Sequence, residues 1–267
     1  MELLDYTFFR NAIAAVIILS ISSAIIGTYI ITRRLVAISG GITHACFGGL
    51  GLGYFLGLNP VLTAALFAVG SSLGVEWMSE RHRMREDSAI AVVWSIGMAI
   101  GVIFVFLTPG YVPELNSFLF GNILTITSGD LVTFTLYTIV LIAFFSLYYK
   151  KIVICAFDRD FAAVSGLPVK FINYTMTVLV AVCIVLTIRL VGIMLLMSMF
   201  SLPQMTAEIY CHRFKSLVWS SVALSIIACL GGLMLSTLGD VPCSAIIVAL
   251  MAAMFVIGRL TRPLIKK

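Results

Sequence analysis

Long apolar runs that follow one another along the chain are the feature that most constrains its fold. Most of them contain about 20 residues, the number that an α-helix needs to cross a bilayer, and most loops between them are short. The second and seventh runs are shorter, which leaves eight spans as the alternative to nine. The sequence therefore predicts an all-α, polytopic integral membrane protein, with spans near 12–31, 42–58, 60–79, 89–108, 131–149, 172–190, 191–205, 217–236 and 243–258.

Composition limits what else the chain can contain. Charged residues are 11% of the chain and hydrophobic residues 61%, whereas about a quarter of a soluble domain is charged. The 267 residues predict a single transmembrane domain over 1–267, with no separate soluble domain. No GxxxxGK[ST] motif occurs, so any ATP hydrolysis belongs to another chain. The six cysteines are scattered without a CxxC pair, which indicates buried apolar side chains rather than a metal knuckle.

The basic residues predict the orientation of the chain. With nine spans, all of the 17 Lys and Arg residues except Arg10 and Arg189 fall on one side of the membrane. Cytoplasmic loops carry such an excess, which predicts an outside N-terminus and a cytoplasmic C-terminus. The +5 net charge is accounted for in this way. No basic segment is interleaved with aromatic residues, so nucleic acid is not an expected partner.

The loop AFDRDFAAVSGLPVK, residues 156–170, predicts a short helix on the cytoplasmic side. Asp158 is placed to cap it, and Gly166, followed by a proline, ends it. Three apolar side chains share one face, at spacings of four and three residues: Phe157, Phe161 and Val164. An exposed apolar face at this place requires either a protein partner or the lipid surface.

The stretch SGGITHACFGG, residues 39–49, places a histidine within the second span. By the predicted boundaries, His44 lies two to four residues deep at the cytoplasmic start. A histidine at membrane depth indicates a functional site, and imidazole binds Zn(II) well and Mn(II) acceptably. The alternative is a hydrogen bond to a neighbouring helix. Gly49, Gly53 and Gly57 recur every four residues, a spacing that predicts close helix packing.

Several blocks of the chain resemble the permease subunits of bacterial zinc and manganese ABC importers. They occur in the order of that family and run from Arg33 to Ala207: RRLVAISGGITHA, REDSAIAVVWSIGMAIGVIF, FLFGNILTITSGD, FDRDFAAVSGLPVKFINY and LVGIMLLMSMFSLPQMTA. The resemblance implies a homodimeric pore in the bacterial cytoplasmic membrane, a separate ATPase subunit and an extracellular metal-binding protein. It makes the helix near 156–168 the coupling helix, with Phe157, Asp158, Phe161 and Gly166 directed to the ATPase.

The resemblance also implies a metal path. His44 matches the family histidine, but the aspartate one turn earlier is Gly40 here, and Asn122 stands where the family often has aspartate. Losing a carboxylate disfavours the hard Mn(II) ion and favours zinc. The expected function is therefore the non-enzymatic membrane subunit of an ATP-driven importer of divalent metal ions. Zinc is expected first, then manganese or iron, and no bound cofactor is expected.

Three other functions fit less well. A proton-coupled secondary transporter usually carries acidic residues near mid-membrane, and this chain has none clearly there. An ABC permease for a metal chelate such as a siderophore is usually longer. A membrane enzyme would need an HExxH or paired-aspartate motif, and neither is present.

The remaining polar residues predict mainly structural contacts. Two ion pairs are expected near the membrane surfaces: Glu76 with Arg81 or Arg83, and Arg189 with Asp130 or Asp240. Ser88 is expected to cap the fourth span. Glu208 and His212, four residues apart in a cytoplasmic loop, predict either solvated polar residues or a metal exit site.

Overall fold

The computed structural model describes residues 7–82, 84–109, 121, 123–239 and 241–265, and these ranges contain helices but no strand. The α-helices are α1 (Thr7–Thr32), α2 (Val36–Leu56), α3 (Pro60–His82), α4 (Glu86–Leu107), α5 (Ser128–Phe157), α6 (Arg159–Val164), α7 (Val169–Met199), α8 (Leu202–Glu208), α9 (Phe214–Gly239) and α10 (Cys243–Ile265), with a 3-10 helix at Ile123–Thr125. Eight helical segments of this part are long and apolar enough to cross a membrane. The prediction of an all-α polytopic membrane protein is confirmed.

The predicted sixth and seventh spans follow one another in the structure without an intervening loop. Helix α7 consists of two helical pieces that meet at a kink at Gly192, where φ is 80° and ψ is 173°, and α8 contains the end of the predicted seventh span. The apolar segment from Val169 to Glu208 has 40 residues, or about 60 Å if it were straight, which is twice the hydrocarbon thickness. A glycine accepts this positive φ without the steric cost that a Cβ would bring.

The described residues fall into two compact units. One, the His44 unit, is drawn from 33–115 and 148–186; the other, the Gln204 unit, is drawn from 1–32, 116–147 and 187–267.

In the His44 unit, α2 and α4 run parallel and α3 runs antiparallel to them. Helix α3 begins as predicted, because the backbone N–H of Val61 donates to Oδ1 of Asn59 at 3.0 Å and Pro60 is the first helical residue. Helix α2 begins at Val36 rather than near 42. The early start includes Gly40 and Gly41, residues of low helix propensity, and tertiary packing overrides that propensity.

In the Gln204 unit, a buried amide joins α1 to α8. Nε2 of Gln204 donates to the carbonyl oxygen of Ser23 at 2.9 Å and to that of Met199 at 3.0 Å. Gly27 leaves the space for this side chain, since a Cβ there would lie 2.5 Å from Nε2. The pairing of Arg189 with Asp130 is confirmed by a separation of 3.0 Å between Nε and Oδ1, and Asp240 lies outside the described residues.

Candidate metal path and coupling surface

His44 lies near the middle of α2, deeper than the sequence predicts. It is eight residues beyond Val36, or about 12 Å along the axis of a helix that is about 31 Å long. The predicted depth of two to four residues is therefore wrong. The error follows from placing the start of the helix near residue 42.

The imidazole of His44 stacks on the indole of Trp94 in α4. The ring centroids are 4.6 Å apart and the planes differ by 5°. Both imidazole nitrogens point along the ring plane, so the stacking covers one face and leaves the nitrogen edges open. Among the hydrogen bonds of the described residues, none involves the His44 ring, and the side chain is half-buried within the chain. The ring is therefore oriented by packing, and no hydrogen bond of the described residues engages its nitrogens.

The helices around His44 bring no carboxylate to it among their described residues. Gly40, one turn earlier, is buried, and within the described ranges no three His, Cys, Asp or Glu side chains come together as a metal site. Asn122 lies outside the described residues. A single imidazole is by itself a weak metal ligand and does not make a site that retains a metal.

The glycines predicted for packing divide between two roles. A Cβ at Gly49 would lie 2.5 Å from the carbonyl oxygen of Thr63, and one at Gly53 would lie 2.8 Å from Cα of Pro60, so both face α3 closely. Gly57 does not take part in this packing. It ends α2 in the left-handed conformation, with φ of 64°, and no neighbouring atom lies within 4 Å of the place that a Cβ would occupy.

A second glycine contact, which the sequence analysis missed, joins α2 to α4. A Cβ at Gly97 would lie 2.5 Å from Cα of Ala45, and a Cβ at Gly51 would lie 2.5 Å from the carbonyl oxygen of Gly101. Small residues let two backbones approach in lipid. The four-residue spacing of Gly97 and Gly101 was the available signal. This contact surrounds the level of His44 and holds its helix against the one that carries Trp94.

The short helix predicted within 156–168 forms where the sequence places it, as α6. The backbone N–H of Phe161 donates to Oδ1 of Asp158 at 2.9 Å, so Asp158 caps α6. Gly166, with φ of 73°, follows the end of the helix. Three apolar side chains are exposed within the chain: Phe157 at 66%, Phe161 at 59% and Val164 at 89%. Phe157 is the last residue of α5 rather than part of α6, so the prediction that the three side chains share one helix is wrong, but all three are uncovered in the single chain.

A group of five charged side chains, here called the ion cluster, lies beside α6: Arg33, Glu76, Glu80, Glu86 and Arg159. Nη2 of Arg159 is 3.2 Å from an oxygen of Glu76 and 3.2 Å from one of Glu80, and its Nη1 is 3.6 Å from Glu86. Arg33 lies 2.6 Å from Glu86 and 3.6 Å from Glu76. The contact of Arg159 with Glu76 is an ion pair without a well-directed hydrogen bond, since Oε1 of Glu76 accepts none.

Two predictions about the residues in and near the ion cluster are wrong. Glu76 pairs with Arg33 and Arg159 instead of Arg81, and Arg83 lies outside the described residues. Ser88 is not the cap of α4. Arg85 occupies the cap position and makes no side-chain hydrogen bond there. These partners are far apart in the chain, so local patterns do not reveal them.

Burial makes the ion cluster energetically sensitive. The side chains of Arg33 and Glu76 are only 7% and 5% exposed. Removing one partner of a buried ion pair leaves the other charge without compensation, which costs about 3–5 kcal/mol. The cluster also brings together Arg33, which follows α1, the last turns of α3, and the first residues of α4 and α6. The loops at these places belong to the basic loops that the charge pattern places on one side of the membrane.

Glu208 and His212 do not share a helical face, because α8 ends at Glu208. Both nevertheless line a cavity of about 290 Å³ together with Arg259 and Arg262. Two guanidinium groups disfavour a cation at this place. The cavity is therefore a poor candidate for a metal exit site.

Comparison with known proteins identifies the family of this arrangement. Residues 5–262 match the ABC 3 transport family. The chain belongs to this family. The predicted resemblance to metal ABC permeases is confirmed, and with the eight apolar segments it makes the chain a multi-pass protein of the inner membrane.

Members of the ABC 3 family resemble the chain over almost its whole length. A "Probable iron transport system membrane protein" of Haemophilus influenzae is 31% identical over 258 residues, covering 97% of this chain and 95% of the relative. A "Manganese transport system membrane protein MntC" of Listeria monocytogenes is 28% identical over 261 residues, covering 98% and 93%. The solved structure of "PsaBC from Streptococcus pneumoniae in complex with Fab" matches with a TM-score of 0.82 and 26% identity, covering 96% of this chain and 94% of that chain.

Proposed function

We propose that this chain is the membrane subunit of an ATP-driven importer of divalent metal ions, and that His44 contacts the ion in transit. The observation that carries the proposal is an imidazole near the middle of α2 that stacks on Trp94 and forms no hydrogen bond among the described residues, in a chain of the ABC 3 family. Two copies would form the pore, a separate ATPase would dock on α6, and an extracellular binding protein would deliver the ion. The chain itself catalyses no reaction.

Zinc is the first candidate ion because the path offers imidazole without a nearby carboxylate. Neutral imidazole is a good ligand for Zn(II), whereas Mn(II) prefers oxygen. Manganese and iron are the second candidates, because the relatives include proteins named for transport of each. A single protein ligand keeps the ion weakly held, so that water can replace it as the ion moves on.

The stacking on Trp94 has a defined role in this proposal. It fixes the plane of the imidazole. An oriented neutral imidazole presents a lone pair without first losing rotational freedom. The indole itself donates no lone pair to a metal.

The exposed face of α6 supports the coupling part of the proposal. Phe161 and Val164 of α6, with Phe157 at the end of α5, are largely uncovered within the chain, and exposed aromatic side chains are typical anchors of a protein interface. ATP-driven closure of the ATPase would displace α6. The displacement would then change access to His44 from the two sides of the membrane.

Uptake into sealed vesicles tests the function. Vesicles carrying this chain with its ATPase and binding protein receive zinc, manganese or iron, and wild type is compared with His44→Ala and with His212→Ala as the matched control. We expect ATP-dependent uptake, zinc fastest, with the rate at least about tenfold lower in His44→Ala, because loss of a ligand weakens metal binding to about this extent. His212→Ala should transport normally.

Each contrary outcome removes a stated part of the proposal. Uptake driven by a proton gradient without ATP would indicate a secondary transporter. Normal uptake by an assembled His44→Ala complex would remove His44 from the path. A wild-type complex that hydrolyses ATP but moves none of the three ions would overturn the substrate class.

A further inference from the structure

The ion cluster joins the coupling helix to the two helices that carry His44 and Trp94. We propose that Glu76 is a positioning residue that, through Arg159 and Arg33, transmits displacement of α6 to the starts of α2 and α4. The inference rests on the proposed function and adds the link between the docking surface and the metal path.

Helix α6 has little else to hold it within the His44 unit. It contains six residues, of which Ala162 is the buried one, and a helix this short is not stable by itself. Arg159, its first residue, contacts three carboxylates supplied by α3 and α4. A guanidinium has five N–H donors in a fixed geometry, so one arginine side chain can contact several carboxylates at once.

The second arginine continues the link to α2. Arg33 lies three residues before the first residue of α2, and its Nη2 is 2.6 Å from Oε1 of Glu86, the first residue of α4. Both arginines contact Glu76 and both contact Glu86. A shift of Arg159 therefore disturbs the same carboxylates that hold the start of α2 to the start of α4.

Close packing carries such a shift further along the two helices. Helices α2 and α4 run parallel from the ion cluster, in contact through Gly51, Gly97 and Gly101. His44 and Trp94 each lie eight residues beyond the first residue of their helix. Because closely packed helices move as rigid elements, a displacement at their starts reaches both rings.

Glu76 is the member of the cluster that a substitution can probe most cleanly. Its side chain is 5% exposed, and its two oxygens face different arginines, Oε2 toward Arg33 and Oε1 toward Arg159. Glu76→Gln keeps the shape and removes the charge that both arginines share. The hydroxyl of Tyr174 donates to Oε2 of Glu80 at 3.3 Å, so this hydrogen bond does not involve the residue that is substituted.

Transport stoichiometry provides the test that a purely structural role would not affect. In vesicles with the ATPase and binding protein, zinc ions moved per ATP hydrolysed are measured for wild type, Glu76→Gln and Glu208→Gln. Glu208 is an exposed glutamate outside the ion cluster and serves as the control. We expect Glu76→Gln to assemble and to hydrolyse ATP within about twofold of wild type, while zinc moved per ATP falls at least about tenfold. An unchanged ratio overturns the proposal.

A cycle with Arg159→Ala tests whether the two residues act as one link. If they do, the double variant Glu76→Gln/Arg159→Ala moves no less zinc per ATP than the more affected single variant, because contacting residues are not additive. If zinc moved per ATP in the double variant falls by the product of the two single reductions, the residues act independently and the link is overturned.

Hydrogen exchange on the purified chain tests the link without any cargo. Amides of 158–167 should exchange at least about tenfold faster in Glu76→Gln than in wild type or Glu208→Gln, since α6 is released. Equal exchange overturns the link. A wild-type complex that moves no divalent ion overturns the proposed function instead, and the exchange result still decides the contact of Glu76 with α6.

Discussion

At the scale of single residues, His44 presents imidazole nitrogens in mid-span without a carboxylate one turn away. Gly40→Asp would introduce that carboxylate on the same stripe of α2 as His44. Because Mn(II) prefers oxygen ligands more strongly than Zn(II) does, we expect the ratio of manganese to zinc uptake to rise about tenfold. Initial uptake rates of the two ions in the same vesicles give this ratio. The control is Gly40→Asn, of equal size without the charge, which should leave the ratio near that of wild type.

Residue-scale packing predicts opposite effects for two glycines of neighbouring helices. A Cβ at Gly97 would lie 2.5 Å from Cα of Ala45, whereas Gly70 of α3 has no atom within 4 Å of that position. Gly97→Ala should lower the free energy of unfolding by about 1–3 kcal/mol through overpacking. Gly70→Ala should leave it unchanged or raise it by up to about 1 kcal/mol, since alanine is the better helix former.

Thermal unfolding of the purified chain in one detergent compares the two glycine variants. The midpoint of Gly97→Ala should lie below that of wild type, and the midpoint of Gly70→Ala at or above it. An equal decrease of the unfolding midpoint in both variants would mean that the close contact between α2 and α4 does not depend on Gly97.

At the scale of elements, the sequence predicts best what local signals determine. Helix α6 was predicted because its cap, its apolar spacing and its terminating glycine all lie within residues 156–168. The start of α2 was predicted too late because low glycine propensity hides a helix that tertiary packing stabilises. The ion cluster was missed because residues 33, 76, 86 and 159 meet only after the chain folds, and no periodicity links them.

The exposed face of α6 leads to a prediction about docking. Phe161 is 59% exposed on the face that should contact the ATPase, whereas the adjacent Asp160 is an exposed acidic residue of the same helix. Truncating a buried aromatic anchor commonly costs about 2 kcal/mol or more of binding energy. Phe161→Ala should therefore reduce capture of the ATPase by the tagged chain at least about tenfold, while Asp160→Ala should capture it normally. Quantitative co-purification at fixed expression measures both, and normal capture by Phe161→Ala would assign docking to another surface.

At the scale of the whole molecule, the crossing number depends on the segment from Val169 to Glu208. Two crossings return the segment to the side of α6, and one crossing leaves its end on the opposite side. Charge favours two crossings, because Arg213, Arg259 and Arg262 then join the basic side. The hydroxyl of Tyr210 donates to the carbonyl oxygen of Gly258 at 3.1 Å, so the loop after α8 lies beside the end of α10. The loop after α8 and the C-terminal end of α10 therefore lie on the same side of the membrane.

Two native cysteines can determine the crossing number. Cys211, in the loop after α8, and Cys243, at the start of α10, are partly exposed, whereas the other four cysteines are buried. In chains that retain one cysteine each, a membrane-impermeant maleimide should label Cys211 in inside-out vesicles and Cys243 in intact cells. The reference is Phe161→Cys in a chain without native cysteines, which marks the side of the coupling helix. Labelling of Cys211 from the side opposite to this reference would mean that the segment crosses once, giving eight crossings and both termini on the same side.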